Sequence, residues 1–223
     1  MQHRTIAAIA AASLCVHAAH AAFLGWSVDT IDLGNGHRAV NVFVDFSHSQ
    51  DRLLNVYRGH ITTTAAGGFY QSSLNPAWQP SGQSATDSDD SWVTIDLLDG
   101  NGMACSVTPD PNFANFDDAS GATDFSVVQS IGNGAGWYNP NPASTFGLAD
   151  GGRVMVAHLV VADFGQGFDI SWNMTLAMNT PQGDTIVDLG VGTHLWTFPS
   201  AVPGPGAAPL AALALAFRRR GRR

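Results

Sequence analysis

Lysine and glutamate are absent from this 223-residue chain, and cysteine occurs only twice. Without lysine the chain has no P-loop, no Schiff-base catalysis and no Ser-Lys hydrolase; without glutamate it has no His-Glu-x-x-His zinc site and no glutamate-based glycosidase. Cys15 falls in an N-terminal apolar segment, which leaves Cys105 alone in the remainder. A zinc knuckle, a CxxC redox pair and an internal disulfide are therefore excluded there.

The charge of the chain is strongly one-sided once its two ends are set apart. All eighteen acidic residues are aspartates and lie between Asp29 and Asp188. Eighteen aspartates against four arginines give residues 22–201 a net charge of −14 with histidine neutral; the arginines are Arg38, Arg52, Arg58 and Arg153. Because phosphate binding needs clustered cations, we expect no nucleic-acid partner.

The first 21 residues have the pattern of a secretory signal peptide. Arg4 supplies a positive charge, Ile6 to Val16 form a short apolar segment, and Ala19-His20-Ala21 fits the rule of small residues at a cleavage site. The sequence therefore predicts an N-terminal signal helix over residues 1–21, cleaved before Ala22 by signal peptidase. It also predicts an exported protein.

The last 22 residues, 202–223, form a second segment with a distinct composition. Prolines and glycines up to Pro209 prevent regular structure, and Leu210 to Phe217 is an uninterrupted apolar sequence of good helix formers. Eight helical residues span roughly 12 Å, whereas a bilayer core of about 30 Å needs nearer 20 residues. Five arginines follow, and such a cluster stays on the cytoplasmic side. A short apolar helix that is only transiently inserted in the membrane is expected.

This order of features resembles the PEP-CTERM sorting signal of exported bacterial proteins. Val202 precedes Pro203-Gly204-Pro205, which stands where Pro-Glu-Pro is expected, with Gly204 in place of the acid. The arginine-rich end begins with Arg218, Arg219 and Arg220. The resemblance covers about a tenth of the chain and implies processing by an exosortase-type membrane protease, with delivery to the cell surface or the extracellular polysaccharide. The alternative is a short C-terminal membrane anchor without sorting.

The intervening residues, 22–201, read as one domain built from short strands. Apolar residues alternate with polar ones in Arg38–Phe46, Trp92–Leu98, Asp124–Ile131 and Phe168–Met178, whereas Val154–Val161 is apolar on both faces and indicates a central strand. Trp26–Leu33 changes phase near Asp29, which indicates a bulge. Further strands are expected at Leu53–Tyr57, Ile61–Thr64, Met103–Val107, Thr185–Leu189 and His194–Phe198. The predicted fold is all-β, a single antiparallel β-sandwich of jelly-roll or immunoglobulin-like type.

Two predicted long loops, residues 67–91 and 132–152, carry the candidate ligand sites. Aromatic rings that stack on sugars, beside amides that bond hydroxyls, would make a carbohydrate site of Tyr70, Trp78, Trp137 and Tyr138; the alternative is that these rings fill the ends of the domain. Asp87, Asp89 and Asp90 offer the oxygen donors that calcium prefers, although no EF-hand pattern is present. No other cofactor is expected.

The histidines give no metal-binding spacing. His37, His48 and His60 lie near strand ends or turns without the i, i+2 or i, i+4 separation of a metal site, and we expect His158, inside an apolar strand, to be a hydrogen-bonded core residue. The leading interpretation is a non-enzymatic, exported structural or matrix-associated protein. The alternatives are a carbohydrate-binding module for extracellular polysaccharide and a hydrolase with an Asp or Ser-His-Asp centre.

Overall fold

A computed structural model describes residues 22–34, 36–71, 78, 89–95, 107–109, 134–141, 145–162 and 165–200. These ranges contain ten strands and one single-turn 3₁₀ helix, Asp150–Gly152. The strands are β1 (Phe23–Gly34), β2 (His37–Phe46), β3 (Arg52–Thr63), β4 (Trp92–Val93), β5 (Thr108–Pro109), β6 (Ala135–Tyr138), β7 (Arg153–Ala162), β8 (Phe168–Asn179), β9 (Thr185–Leu189) and β10 (His194–Phe198). The prediction of an all-β protein is confirmed.

The strands form two antiparallel sheets. A four-stranded sheet has the order β1-β2-β7-β4, and a six-stranded sheet has the order β10-β8-β3-β6-β5, with β9 also paired to β8. In β2 the alternation predicted from sequence buries Val40, Val42, Val44 and Phe46. As predicted, β7 is a central strand, lying between β2 and β4, and nine of its ten residues are buried.

One hydrophobic cluster draws residues from both sheets. It includes Val42 and Val156 of the four-stranded sheet and Val56 and Leu176 of the six-stranded sheet, all fully buried. Trp26 of β1 meets Trp172 of β8 edge to face, with ring centroids 5.3 Å apart. The two sheets are therefore held by a common apolar core, which is the main source of stability in a domain of this size.

Three details of the predicted strand pattern are corrected. The bulge expected near Asp29 is absent from the pairing of β1 with β2, which runs without a shift from Gly25 to Asp32; the shifts occur on either side, at Phe23/Gly25 and Asp32/Gly34. The sequence loses its alternation there because residues 29–32 lie on an edge strand and are all exposed. An exposed strand end has no core face to maintain the pattern.

The separate strands expected at Leu53–Tyr57 and Ile61–Thr64 are one continuous strand, β3, interrupted by a bulge. Its pairing with β8 shifts between Tyr57 and His60, where Arg58 adopts a φ of +55°. Gly59 follows with no room for a side chain, because an added Cβ would come within 2.7 Å of the Ala135 carbonyl oxygen. The sequence break is therefore a bulge within a strand.

The predicted loop over residues 132–152 contains strand β6. Its glycines lie against β3, since a Cβ on Gly136 would come within 2.7 Å of the Val56 carbonyl oxygen and one on Gly134 within 2.6 Å of the Gly59 carbonyl oxygen. Glycines that suggested a loop in the sequence are required here for close strand approach. The strand predicted at residues 124–131 lies outside the described residues, as do residues 103–106 of the next predicted strand and both terminal helices.

The first described residue and the residues at the end of the described chain lie at opposite ends of β2. Ala22 exchanges hydrogen bonds with Ser47, from its N to Oγ and from the Ser47 N to its carbonyl oxygen, each 2.9 Å. At the other end, the Arg38 guanidinium donates to the Pro199 carbonyl oxygen at 3.3 Å. Ten strand residues span about 30 Å, which separates Ala22 from Pro199 by that order of distance. Among the residues described, no helix is long and apolar enough to cross a membrane.

Candidate functional site

Two of the four aromatic residues predicted to bind carbohydrate are buried. Trp78 is 0% exposed and Trp137 is 1% exposed, and the Trp137 indole donates to the Thr94 carbonyl oxygen at 2.9 Å. Neither ring presents a face to solvent, so the proposed stacking role of these two tryptophans is wrong. Both pack in the common core instead, because alternation along β6 turns Trp137 inward.

The other two aromatic residues have different environments. Tyr70 is half-buried, its ring lies against His37 with centroids 4.3 Å apart, and its backbone N donates to the Val160 carbonyl oxygen. Tyr138 follows Trp137 on β6 and therefore points away from the core, with 43% of its surface exposed. Of the four predicted rings, Tyr138 is the one that offers a large exposed surface.

The predicted calcium ligands are not assembled into a site by the part of the chain that is described. Asp87 lies outside the described residues, Asp89 is half-buried and Asp90 is fully buried. Within the described ranges, no three histidine, cysteine, aspartate or glutamate side chains form a group that could hold a metal ion. The signal-cleavage residues Ala19 and Ala21 and the sorting residues 202–205 and 218–220 also lie outside those ranges.

A polar cluster that the sequence did not indicate lies on the six-stranded sheet, on the face away from the core. Tyr57 and Arg58 of β3 reach across β8 to Asp188 of β9. The Tyr57 hydroxyl donates to Asp188 Oδ1 at 3.0 Å and accepts from the Asp188 backbone N at 2.9 Å. Arg58 Nη1 forms an ion pair with the same carboxylate oxygen at 2.7 Å. The guanidinium also lies 5.4 Å from the centroid of the Tyr57 ring.

The backbone of this cluster is unusual. Among the described residues, Arg58 and Asp188 are the two non-glycine residues with positive φ, +55° and +57°. Aspartate adopts this left-handed conformation more readily than most side chains, whereas for arginine it is uncommon. Strained residues of this kind cluster at ligand-binding positions, so their direct contact marks this cluster as a candidate site. Sequence reasoning had no signal for it beyond the glycine after Arg58.

The surroundings of Tyr57 raise the pKa of its phenol. Burial raises the pKa of this phenol above its usual value near 10, the Asp188 backbone amide opposes that shift, and the Asp188 carboxylate raises it further. The phenol therefore remains a hydrogen-bond donor at neutral pH. Its hydroxyl is held in place in both of its roles, as donor and as acceptor.

Tyr138 lies on the same face of the sheet as this cluster. In the strand register, Tyr138 is directly opposite Asn55 of β3 and Thr108 of β5, and Tyr57 is two residues beyond Asn55. We call the surface formed by Asn55, Tyr57, Arg58, Asp188 and Tyr138 the tyrosine face. Tyr57 and Tyr138 are diagonal neighbours there, at roughly 7–8 Å between Cα atoms.

The four-stranded sheet carries a row of side chains on the face away from the main core. Asn41 and His158 are opposite one another on β2 and β7, and His158 Nδ1 lies 2.6 Å from Asn41 Oδ1. The Trp92 ring stacks on the imidazole with centroids 4.9 Å apart. The prediction that His158 is buried and hydrogen-bonded is confirmed, although it lies beside the small cluster of Phe43, Trp92 and Met155 instead of in the common core.

A buried carboxyl group lies at the end of β2 remote from Pro199. Asp51 is 0% exposed, and no side chain among the described residues gives either carboxylate oxygen a hydrogen bond. Its backbone is fixed, because Ala149 N donates to its carbonyl oxygen at 2.9 Å. Burial raises the pKa of this carboxyl above its usual value near 3.8, while the neighbouring His48 opposes the shift.

Comparison with protein-family models and with curated proteins finds no match to this chain.

Proposed function

We propose that this chain is an exported, non-enzymatic protein of the cell surface or extracellular matrix, sorted and processed through its C-terminal segment. The observation that carries the proposal is the position of the strands. Every described strand lies between Phe23 and Phe198, just after the predicted signal cleavage and four residues before Val202. The described part of the common core is built from residues 26–198, which lie between the two segments that the sequence assigns to export and sorting.

We further propose that the domain is a β-sandwich in which the two sheets pack face to face. The shared apolar cluster and the contact of Trp26 with Trp172 support this arrangement. So does the hydrogen bond from the Trp137 indole of the six-stranded sheet to Thr94, which directly follows β4 of the other sheet. Removal of the tail by an exosortase-type protease would take away none of the residues described in that core.

The positions of Ala22 and Pro199 indicate how the anchored protein would be oriented. The tail follows Pro199, close to Arg38 at the first residues of β2, whereas Ala22 is bound to Ser47 at its far end. A protein attached through its C-terminus would thus present the end containing Ser47 and Asp51 to the exterior. Tyr138 pairs with Asn55, three residues from the start of β3 at this outer end.

A secretion experiment tests the proposal. The full chain, a truncation ending at Ala201, and a variant with Arg218, Arg219 and Arg220 changed to serine would be expressed in a host that has the sorting protease. We expect the full chain at the cell surface or in the matrix, the truncation in the medium, and the arginine variant misprocessed. Equal surface retention of the truncation would contradict the sorting role, and circular dichroism of the released truncation checks that it is folded.

A further inference from the structure

The tyrosine face combines exposed aromatic surface with hydrogen-bonding groups. Alternation along β3 and β6 directs Val56 and Trp137 into the core and leaves Tyr57 and Tyr138 on the opposite face. Asn55 lies between them in the register, and its Oδ1 accepts from the Ala177 backbone N at 3.1 Å. Flat rings beside amide, carboxylate and guanidinium groups suit a ligand with both apolar faces and hydroxyl groups.

The contact between Arg58 and Asp188 gives the tyrosine face a fixed shape. Arg58 and Asp188 both hold left-handed backbone conformations, and one carboxylate oxygen of Asp188 binds both the guanidinium and the Tyr57 hydroxyl, at 2.7 and 3.0 Å. The ring of Tyr57 is therefore ordered before any ligand arrives. Binding to an ordered surface avoids the entropy cost of immobilising side chains, which raises affinity without additional contacts.

The negative charge of the domain favours neutral ligands over anionic ones. The domain carries eighteen aspartates and four arginines between residues 22 and 201, and Arg58 is already paired with Asp188. A polyanion such as a uronic-acid polymer would be repelled by the surrounding field. A neutral sugar polymer meets no such repulsion, and the apolar faces of its rings can lie on tyrosine.

We infer that the tyrosine face binds a neutral polysaccharide, with Tyr138 as the exposed stacking ring and the Tyr57–Arg58–Asp188 cluster as its ordered polar neighbour. This inference rests on the proposed function and deepens it, because it supplies a means of association with an extracellular matrix. It moves the expected carbohydrate contact from Trp78 and Trp137 to the surface of the six-stranded sheet. That surface lies toward the end of the domain remote from the tail.

Affinity electrophoresis of the exported product tests the inference. The protein would be run through gels containing soluble β-glucan, galactomannan or dextran, with alginate as the anionic polymer. We expect retardation by at least one neutral polymer and none by alginate. Tyr138→Ala should weaken retardation roughly tenfold, since a stacking ring is lost. Asp188→Ala should weaken it several-fold by releasing Tyr57.

The matched control is Asp29→Asn on the other sheet. Asp29 forms an exposed 2.7 Å ion pair with Arg153, whose guanidinium lies 3.9 Å from the Phe43 ring centroid, so this change removes a similar contact away from the tyrosine face. It should leave retardation unchanged, and thermal unfolding of each variant checks the fold.

Three results would overturn the inference: no retardation by any neutral polymer, unchanged retardation in Tyr138→Ala, or equal losses in the control. Retardation by alginate alone would replace it with an acidic ligand. Surface sorting is measured separately in the secretion experiment, so failure of glycan binding leaves the sorting proposal standing, and failure of sorting leaves the binding result intact.

Discussion

Arg58 and Asp188 are joined by a 2.7 Å ion pair across strand β8, and each has a positive backbone φ. Both side chains are about half exposed, so the ion pair itself contributes little, about 0–1 kcal/mol. A left-handed arginine costs about 1–2 kcal/mol. The contact between Arg58 and Asp188 therefore adds no net stability to the fold. This favours a role for the two residues in binding.

Replacing Arg58 separates the backbone cost from the ion pair. Arg58→Gly and Arg58→Ala both remove the guanidinium, but only glycine adopts a φ of +55° without strain. We expect the glycine variant to be more stable than the alanine variant by about 1 kcal/mol, measured by denaturant unfolding. Equal stabilities of the two variants would show that the backbone at residue 58 is unstrained. That result would weaken the argument that the tyrosine face is a binding site.

The buried carboxyl of Asp51 predicts an unusual pH dependence. Because its pKa is raised in the fold, folding favours the protonated form, and the stability that this group contributes falls as pH rises from about 3.8 through the folded-state pKa. Asp51→Asn should remove this slope, and it should raise stability relative to the unchanged protein more at pH 7 than at pH 4, because no buried charge forms. Urea unfolding between pH 4 and 7 measures it. Asp184→Asn, in an exposed turn, is the control for removing one aspartate from this acidic chain.

Two glycines near the exit of the chain differ in what surrounds them. Gly165 and Gly167 have φ values of +76° and +79°, but a Cβ on Gly167 would come within 2.6 Å of Ser200 N and 2.7 Å of the Phe198 carbonyl oxygen, whereas one on Gly165 meets nothing within 4 Å. Alanine strains the backbone at both positions. We expect Gly167→Ala to cost about 1–2 kcal/mol more than Gly165→Ala, because it also displaces the end of β10. Equal melting temperatures for the two variants would contradict the close packing of Gly167 against the end of β10.

The tryptophan contacts in the core predict a large packing cost. Trp172 is fully buried, and its ring centroid lies 5.3 Å from that of Trp26 and 6.4 Å from that of Trp137. Trp172→Ala should cost about 3–5 kcal/mol, a large share of the roughly 5–15 kcal/mol typical of a domain. Leu195→Ala, at a side chain 64% exposed, should change stability by less than about 0.5 kcal/mol. A small effect at Trp172 would contradict the shared core.

The sequence predicted those strands whose burial is one-sided or complete. β2, β7 and β8 were found because alternation or a continuous apolar segment reflects packing directly. β9 and β10 were also found, although most of their residues are exposed or half-buried. β6 was missed because glycines required by the close approach of β3 resemble a turn, and β3 was divided because a bulge interrupts the period. The tyrosine face was missed for another reason. Tyr57 and Asp188 are 131 residues apart, and only the sheet order brings them together.

The intact mass of the surface-held protein tests the central claim most directly. Full-length chain would be expressed in a host with the sorting protease, released from the surface fraction and weighed. Export and sorting predict a product that begins at Ala22 and lacks the arginines from Arg218 onward. A surface-held product whose mass includes Arg218 to Arg223 would contradict processing of the tail and would favour a simple C-terminal anchor.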